Sequence, residues 1–63
     1  MINKIKEYRE EKQLTQAELA EKAGVSRAIL SGLESGRITN TTSDTLIKIS
    51  VALGVSVKEL FFE

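Results

Sequence analysis

The 63-residue sequence contains no cysteine, no histidine and no proline. Without Cys there is no disulfide and no thiolate nucleophile; with His absent too, the common zinc sites are excluded. No metal site, cofactor site or small-molecule site is expected, and no acid–base constellation is left to build an enzyme around. A catalytic pocket of roughly 300 Å³ or more would also consume most of such a small core. No apolar run approaches the roughly 18 residues of a membrane span, and the N-terminus lacks a secretory hydrophobic stretch. The chain is therefore expected to be soluble and cytoplasmic, with no membrane partner. Excess charge is lacking as well, since nine basic and nine acidic side chains cancel. A strongly basic domain would point to nucleic acid by its total charge alone; here only the distribution of charge can carry that reading.

The length allows one domain, residues 1–63, which buries only about 60% of the surface its unfolded chain exposes. With disulfides and the common metal sites excluded, packed helices or self-association must supply the stability. Gly occurs only at 24, 32, 36 and 54, and all but Gly32 fall where a helical pattern breaks. The pattern gives five short helical segments and no period-2 strand, hence an all-α fold, a compact bundle of five short helices. The first segment, Asn3 to Lys12, carries Ile2, Ile5, Tyr8 and Arg9 on one side. Thr15 and Glu18 form a capping box, flanked by the staple Leu14–Leu19. The helix they open presents Ala17, Leu19, Ala20 and Ala23, small residues suited to close helix packing. Gly24 ends it, and Ser26, with the staple Val25–Leu30, starts the next helix, which runs to Ser35–Gly36. After the polar loop Arg37–Thr41, Thr42 and Asp44 open a fourth helix with Leu46, Ile47, Ile49, Ser50 and Leu53 as its stripe. Gly54 stops it, and Ser56 with Glu59 repeats the capping box before Phe61-Phe62-Glu63. Leu14, Leu19, Ala20, Leu30, Leu33, Leu46, Ile49, Leu53 and Leu60 are expected to form much of the core.

Two helices joined by a tight turn at Ala23-Gly24-Val25 make a helix-turn-helix candidate, although any small bundle has such corners. The run Leu14-Thr15-Gln16-Ala17-Glu18-Leu19-Ala20-Glu21-Lys22-Ala23-Gly24-Val25-Ser26 is more specific. It continues through Leu30-Ser31, Leu33-Glu34 and Gly36 to Leu46, Lys48-Ile49 and Ala52-Leu53-Gly54-Val55. Over essentially the whole chain this resembles the phage-repressor and Cro-like (XRE-type) helix-turn-helix family of bacterial transcription regulators, with the motif at about 15–34. The resemblance implies a lambda-repressor-like DNA-binding domain whose third helix lies in the major groove of double-stranded DNA.

By position, the resemblance implies that Arg27, Ala28, Ile29 and Ser31 read bases. Arg27 suits guanine O6 and N7, and Ala28 suits a thymine methyl. Ile29 departs from the small or polar residue usual there; it is expected to be exposed toward DNA. Gly32 also departs, where relatives place a long polar side chain; either the helix docks deeper or the position reads nothing. The resemblance further implies phosphate contacts from Gln16, Ser26, Arg37, Thr39, Asn40 and Thr41, and a structural ion pair between Arg9 and Glu34. With Arg27 and Arg37 the obvious unpaired charges, a monomer would bind feebly. A homodimer is expected, with Ile38, Leu60, Phe61 and Phe62 as its interface, most often a repressor on an inverted-repeat operator. The alternative from another class is a protein-interaction or antitoxin-like module that uses the same fold without reading bases.

Overall fold

In the computed structural model, residues 3–61 are described. They form α1 (Ile5–Glu11), α2 (Gln16–Ala23), α3 (Arg27–Ser35), α4 (Ser43–Leu53) and α5 (Val57–Phe61), with no strand among the described residues. The expected all-α bundle of five short helices is what the chain forms. Helices this short are marginal alone in water, so each depends on its ends and on its buried face.

The ends follow from local chemistry. The Thr15 hydroxyl accepts from the Glu18 N–H at 3.0 Å, and the Glu18 carboxylate accepts from the Thr15 N–H at 2.8 Å. Ser56 and Glu59 repeat the exchange at 3.0 and 3.1 Å. Ser26 caps α3 and Thr42 caps α4; such a cap is typically worth about 1 kcal/mol. Gly24 closes α2 in the left-handed region at φ 73°, and the next N–H, of Val25, donates back to the Ala20 carbonyl at 3.0 Å. That bond satisfies a carbonyl the helix end would otherwise leave open.

α1 is shorter than its sequence pattern at both ends. Asn3 precedes the helix and ties its start to α3: its amide donates to the Leu33 carbonyl at 2.9 Å and its oxygen accepts from the Ile5 N–H at 3.2 Å. At the other end Gln13 takes φ 59°, the left-handed region, without being glycine. This turn stops the helix at Glu11 and sends the chain into α2.

α2 lies between α3 and α4, α1 touches both of those helices, and α5 packs on α4. The core joins Ile5, Leu19, Ala20, Leu30, Leu33, Ile49, Ala52, Leu53, Leu60 and Phe61, with Leu14 and Leu46 half-buried at its margin. Three expectations are corrected. Ala17 is exposed, because only Leu19 and Ala20 of α2 are fully turned inward. Ile47 is 50% exposed on the outer face of α4, and Ala52 buries in its stead. Phe61 is only 8% exposed and Leu60 only 1%, so neither offers a monomer surface for the expected dimer interface. The reason is a main-chain bond: the Lys4 N–H donates to the Leu60 carbonyl at 2.8 Å, which holds α5 against the start of α1 and closes the core over both side chains. Phe62 lies outside the described residues. Among the described residues no helix is long and apolar enough to cross a membrane.

Candidate nucleic-acid interface

The turn between α2 and α3 is three residues, Gly24-Val25-Ser26. Val25 packs against the core, and Ser26 Oγ accepts from the Ala28 and Ile29 N–H groups at 3.1 and 3.4 Å. The hydroxyl proton of Ser26 therefore remains available to an outside acceptor. Leu30 and Leu33 fix α3 on the core. With 3.6 residues per turn, the opposite side of α3 presents Arg27, Ala28, Ser31 and Ser35 as one stripe. Arg27, Ala28 and Ser35 are exposed and Ser31 is half-buried. No ion pair or hydrogen bond engages the Arg27 guanidinium among the described residues.

Ile29 does not belong to this stripe. It is half-buried and packed against the core cluster, because its position on the helix turns it away from Arg27 and toward Leu33. The expectation of an isoleucine exposed toward DNA is corrected to one whose body serves the core. Gly32 likewise faces inward. A Cβ built on it would meet the Ile38 side chain, 2.7 Å from Cγ1 and closer still to Cδ1. The Ile38 N–H donates to the Gly32 carbonyl at 3.0 Å, so the loop after α3 folds back over the space a side chain would fill. Of the two readings of Gly32, a position that reads nothing fits this burial, and the reason is that the glycine makes room for Ile38. Ile38 is correspondingly half-buried, which removes part of the surface expected to join an interface.

Behind the stripe lies a charged network. Arg9 Nε and Nη2 donate to the two carboxylate oxygens of Glu34 at 2.8 and 3.0 Å, and Nη1 donates to the Leu14 carbonyl at 2.7 Å. The two side chains retain 11% and 4% of their surface. The hydrogen bond to Glu34 raises the Arg9 pKa above its ordinary value, against the burial that lowers it; the charge on Glu34 and, less, that on Glu10 also raise it. Arg9 stays charged wherever the fold survives. Gln16 Nε2 also donates to Glu34, at 3.2 Å. An ionised carboxylate accepts only, so this bond fixes which end of the amide faces Glu34 and leaves one N–H of the Gln16 amide and its oxygen to point elsewhere. The network joins α1, the start of α2 and the last turn of α3.

The loop residues are more loosely held. Arg37, Thr39 and Asn40 are exposed and Thr41 is half-buried; the Arg37 N–H donates to Ser35 Oγ at 3.4 Å. Their side chains make no hydrogen bond among the described residues, which leaves them free for an external ligand but not pre-positioned.

Comparison with known proteins decides the family. The model of the family described as helix-turn-helix matches residues 5–60. The chain belongs to the helix-turn-helix family. It is 47% identical over 60 residues to the transcriptional regulator SinR of Bacillus subtilis, covering 95% of this chain and 54% of that protein. It is 42% identical over 60 residues to the immunity repressor of Bacillus phage phi105, covering 95% of this chain and 41% of the repressor. A crystal structure of SinR in complex with DNA superposes with a TM-score of 0.83 at 48% identity, covering 86% of each chain. The chain thus spans about half the length of these two curated relatives. The family and these relatives are regulators and not enzymes.

Two features of this helix-turn-helix domain escaped the sequence reading. Ser35 extends the outward stripe of α3. Lys6 of α1 lines, with Arg9, Gln16, Ser31, Glu34 and Ser35, a cleft of about 240 Å³ between α1, α2 and α3. The signal for Lys6 was present: it stands three residues before Arg9, and residues three apart share a helix face.

Proposed function

We propose that this chain is a sequence-specific DNA-binding transcription regulator that acts as a homodimeric repressor on an inverted-repeat operator. The observation that carries this reading is the stripe Arg27–Ala28–Ser31, whose leading Arg27 is exposed and unpaired on a helix anchored by Leu30 and Leu33. Such a helix end enters the major groove with its first residues at base edges. Arg27 serves as a bidentate donor to guanine, worth about 1–3 kcal/mol of discrimination. Gln16, held by Glu34, and Ser26, with its free hydroxyl proton, take backbone phosphates and set the register; Arg37, Thr39, Asn40 and Thr41 add contacts from the loop. Support from outside the chain is the likeness to SinR, whose DNA complex the domain matches in fold.

Dimerisation rests on charge. Of the nine basic side chains, few stand unpaired on the proposed DNA face, so one protomer releases few counterions, binds weakly and needs a second half-site. Two recognition helices related by a two-fold axis meet grooves one turn apart, roughly 34–36 Å. The neutral balance also favours a second reading, a protein-interaction module that uses this fold without reading bases. Selection of binding sites from random duplex DNA separates the two. Enrichment of a palindrome with half-site centres about 10 base pairs apart supports the regulator; absence of any enriched sequence leaves the interaction module.

A further inference from the structure

We infer that Lys6 carries a DNA backbone phosphate into the cleft between α1, α2 and α3, so that α1 belongs to the binding surface. This inference rests on the DNA-binding reading above and adds a contact from outside the helix-turn-helix. Lys6 is exposed and has no ion-pair partner among the described residues. It lines the same cleft as Gln16 and Ser31. The other charges there cancel, because Arg9 binds both oxygens of Glu34. The ammonium of Lys6 is thus the one uncompensated charge of the cleft. The same cleft is lined by Ser31, whose hydroxyl has no hydrogen-bond partner among the described residues, and by Gln16, whose amide is oriented by Glu34 at 3.2 Å. A cation, a hydroxyl and an amide N–H suit a phosphate oxyanion, which needs donors and positive charge. Because Ser31 and Gln16 lie on the two helices that would meet the duplex, the phosphate belongs to the strand flanking the groove that α3 enters. The sequence reading counted Arg27 and Arg37 as the cationic footprint; Lys6 makes it three per protomer.

The test is anisotropy titration of a non-specific labelled duplex with the unsubstituted chain, Lys6→Gln and Lys6→Arg, at salt from 50 to 200 mM. One lost phosphate contact lowers the slope of log K against log salt by about 0.9 per protomer. The deficit of Lys6→Gln should therefore shrink roughly threefold to fourfold across that range. Lys6→Arg should keep the slope, and both variants should melt as the parent does, since Lys6 is exposed and makes no hydrogen bond or ion pair among the described residues. A parental slope for Lys6→Gln, with the unsubstituted chain binding normally, overturns the inference and leaves the regulator reading intact. Failure of the unsubstituted chain to bind any duplex overturns both. Inorganic phosphate supplies the other arm: if it raises the Tm of the parent but not of Lys6→Gln, while DNA binding is equal in the two, the cleft serves a free anion and the inference is wrong.

Discussion

Replacing Gly32 by alanine pits two known effects against each other. Alanine in a helix interior is favoured over glycine by roughly 0.8–1.0 kcal/mol. Against this stands the added methyl, which would sit 2.7 Å from Ile38 Cγ1 and 3.4 Å from Ile38 Cβ. Ile38 cannot swing aside cheaply. Its branched Cβ restricts χ1, and its N–H is bound to the Gly32 carbonyl at 3.0 Å, so relief requires rotating Cγ1 out of its well or lifting the loop. Overpacking of this kind costs roughly 1–3 kcal/mol. The cost should win, leaving Gly32→Ala less stable by about 1 kcal/mol, or a Tm about 4–8 °C lower for a domain of this size. The decisive measurement repeats the substitution in an Ile38→Ala background, where the obstructing atoms are gone and only the helix preference remains. There Gly32→Ala should stabilise by up to about 1 kcal/mol. Urea unfolding of the four proteins followed by circular dichroism gives the cycle. If Gly32→Ala has the same sign in both backgrounds, Ile38 is not the reason for the glycine.

Further outcomes follow from other contacts. Arg27→Ala should cost about 1–3 kcal/mol on a preferred operator and relax its base choice, whereas Gln16→Ala should weaken binding alike on all sequences; equal losses across operator variants would dissolve that division. Arg9→Ala leaves the Glu34 carboxylate buried without its cation, at about 3–5 kcal/mol, comparable with all that so small a core supplies; a melting curve near the parent's would refute the pairing's weight. Phe61→Ala should unfold or severely loosen the domain, since buried Phe→Ala losses run about 3–5 kcal/mol; unchanged stability with lost association would instead return Phe61 to an interface. Gln13→Gly should stabilise by about 0.5–1 kcal/mol, because the left-handed penalty of roughly 1–2 kcal/mol exceeds the extra chain entropy of glycine. Inserting five base pairs between half-sites should drop affinity to the non-specific level, as the second groove then faces away.

The parts of the molecule legible in the sequence are those whose cause lies within a few residues. A capping box needs only Thr15 and Glu18, or Ser56 and Glu59, three positions apart, and both formed. Gly24 and Gly54 announce helix ends because glycine alone enters the left-handed region without cost. Gln13 breaks that same rule, so the sequence pattern runs to Lys12 while α1 ends at Glu11; no residue type marks the turn. The core was readable where a stripe was wide, as at Leu30 and Leu33, and misjudged where helix ends meet. Whether Phe61 points into the bundle depends on the Lys4 N–H reaching the Leu60 carbonyl, a pairing that joins the two ends of the chain and has no local signature.

The candidate site divides in the same way. Arg27 and Ala28 follow the Ser26 cap, so their exposure is a consequence of local spacing. Ile29 and Gly32 stand on the same helix, but their surroundings come from the core and from a loop that returns over α3, so local spacing misplaces Ile29 and leaves the reason for Gly32 open. The pairing of Arg9 with Glu34 came from resemblance, whereas the Gln16–Glu34 bond and the cleft at Lys6 required three helices to be placed. That difference has a mechanistic side. Glu34 holds Arg9, which reaches the Leu14 carbonyl ahead of α2, and also holds Gln16 at the start of that helix. One carboxylate thereby links the angle between α2 and α3 to the orientation of the amide proposed to meet a phosphate. Removing it should loosen the scaffold and misdirect the contact together, so its effect on DNA affinity should exceed the loss of Gln16 alone.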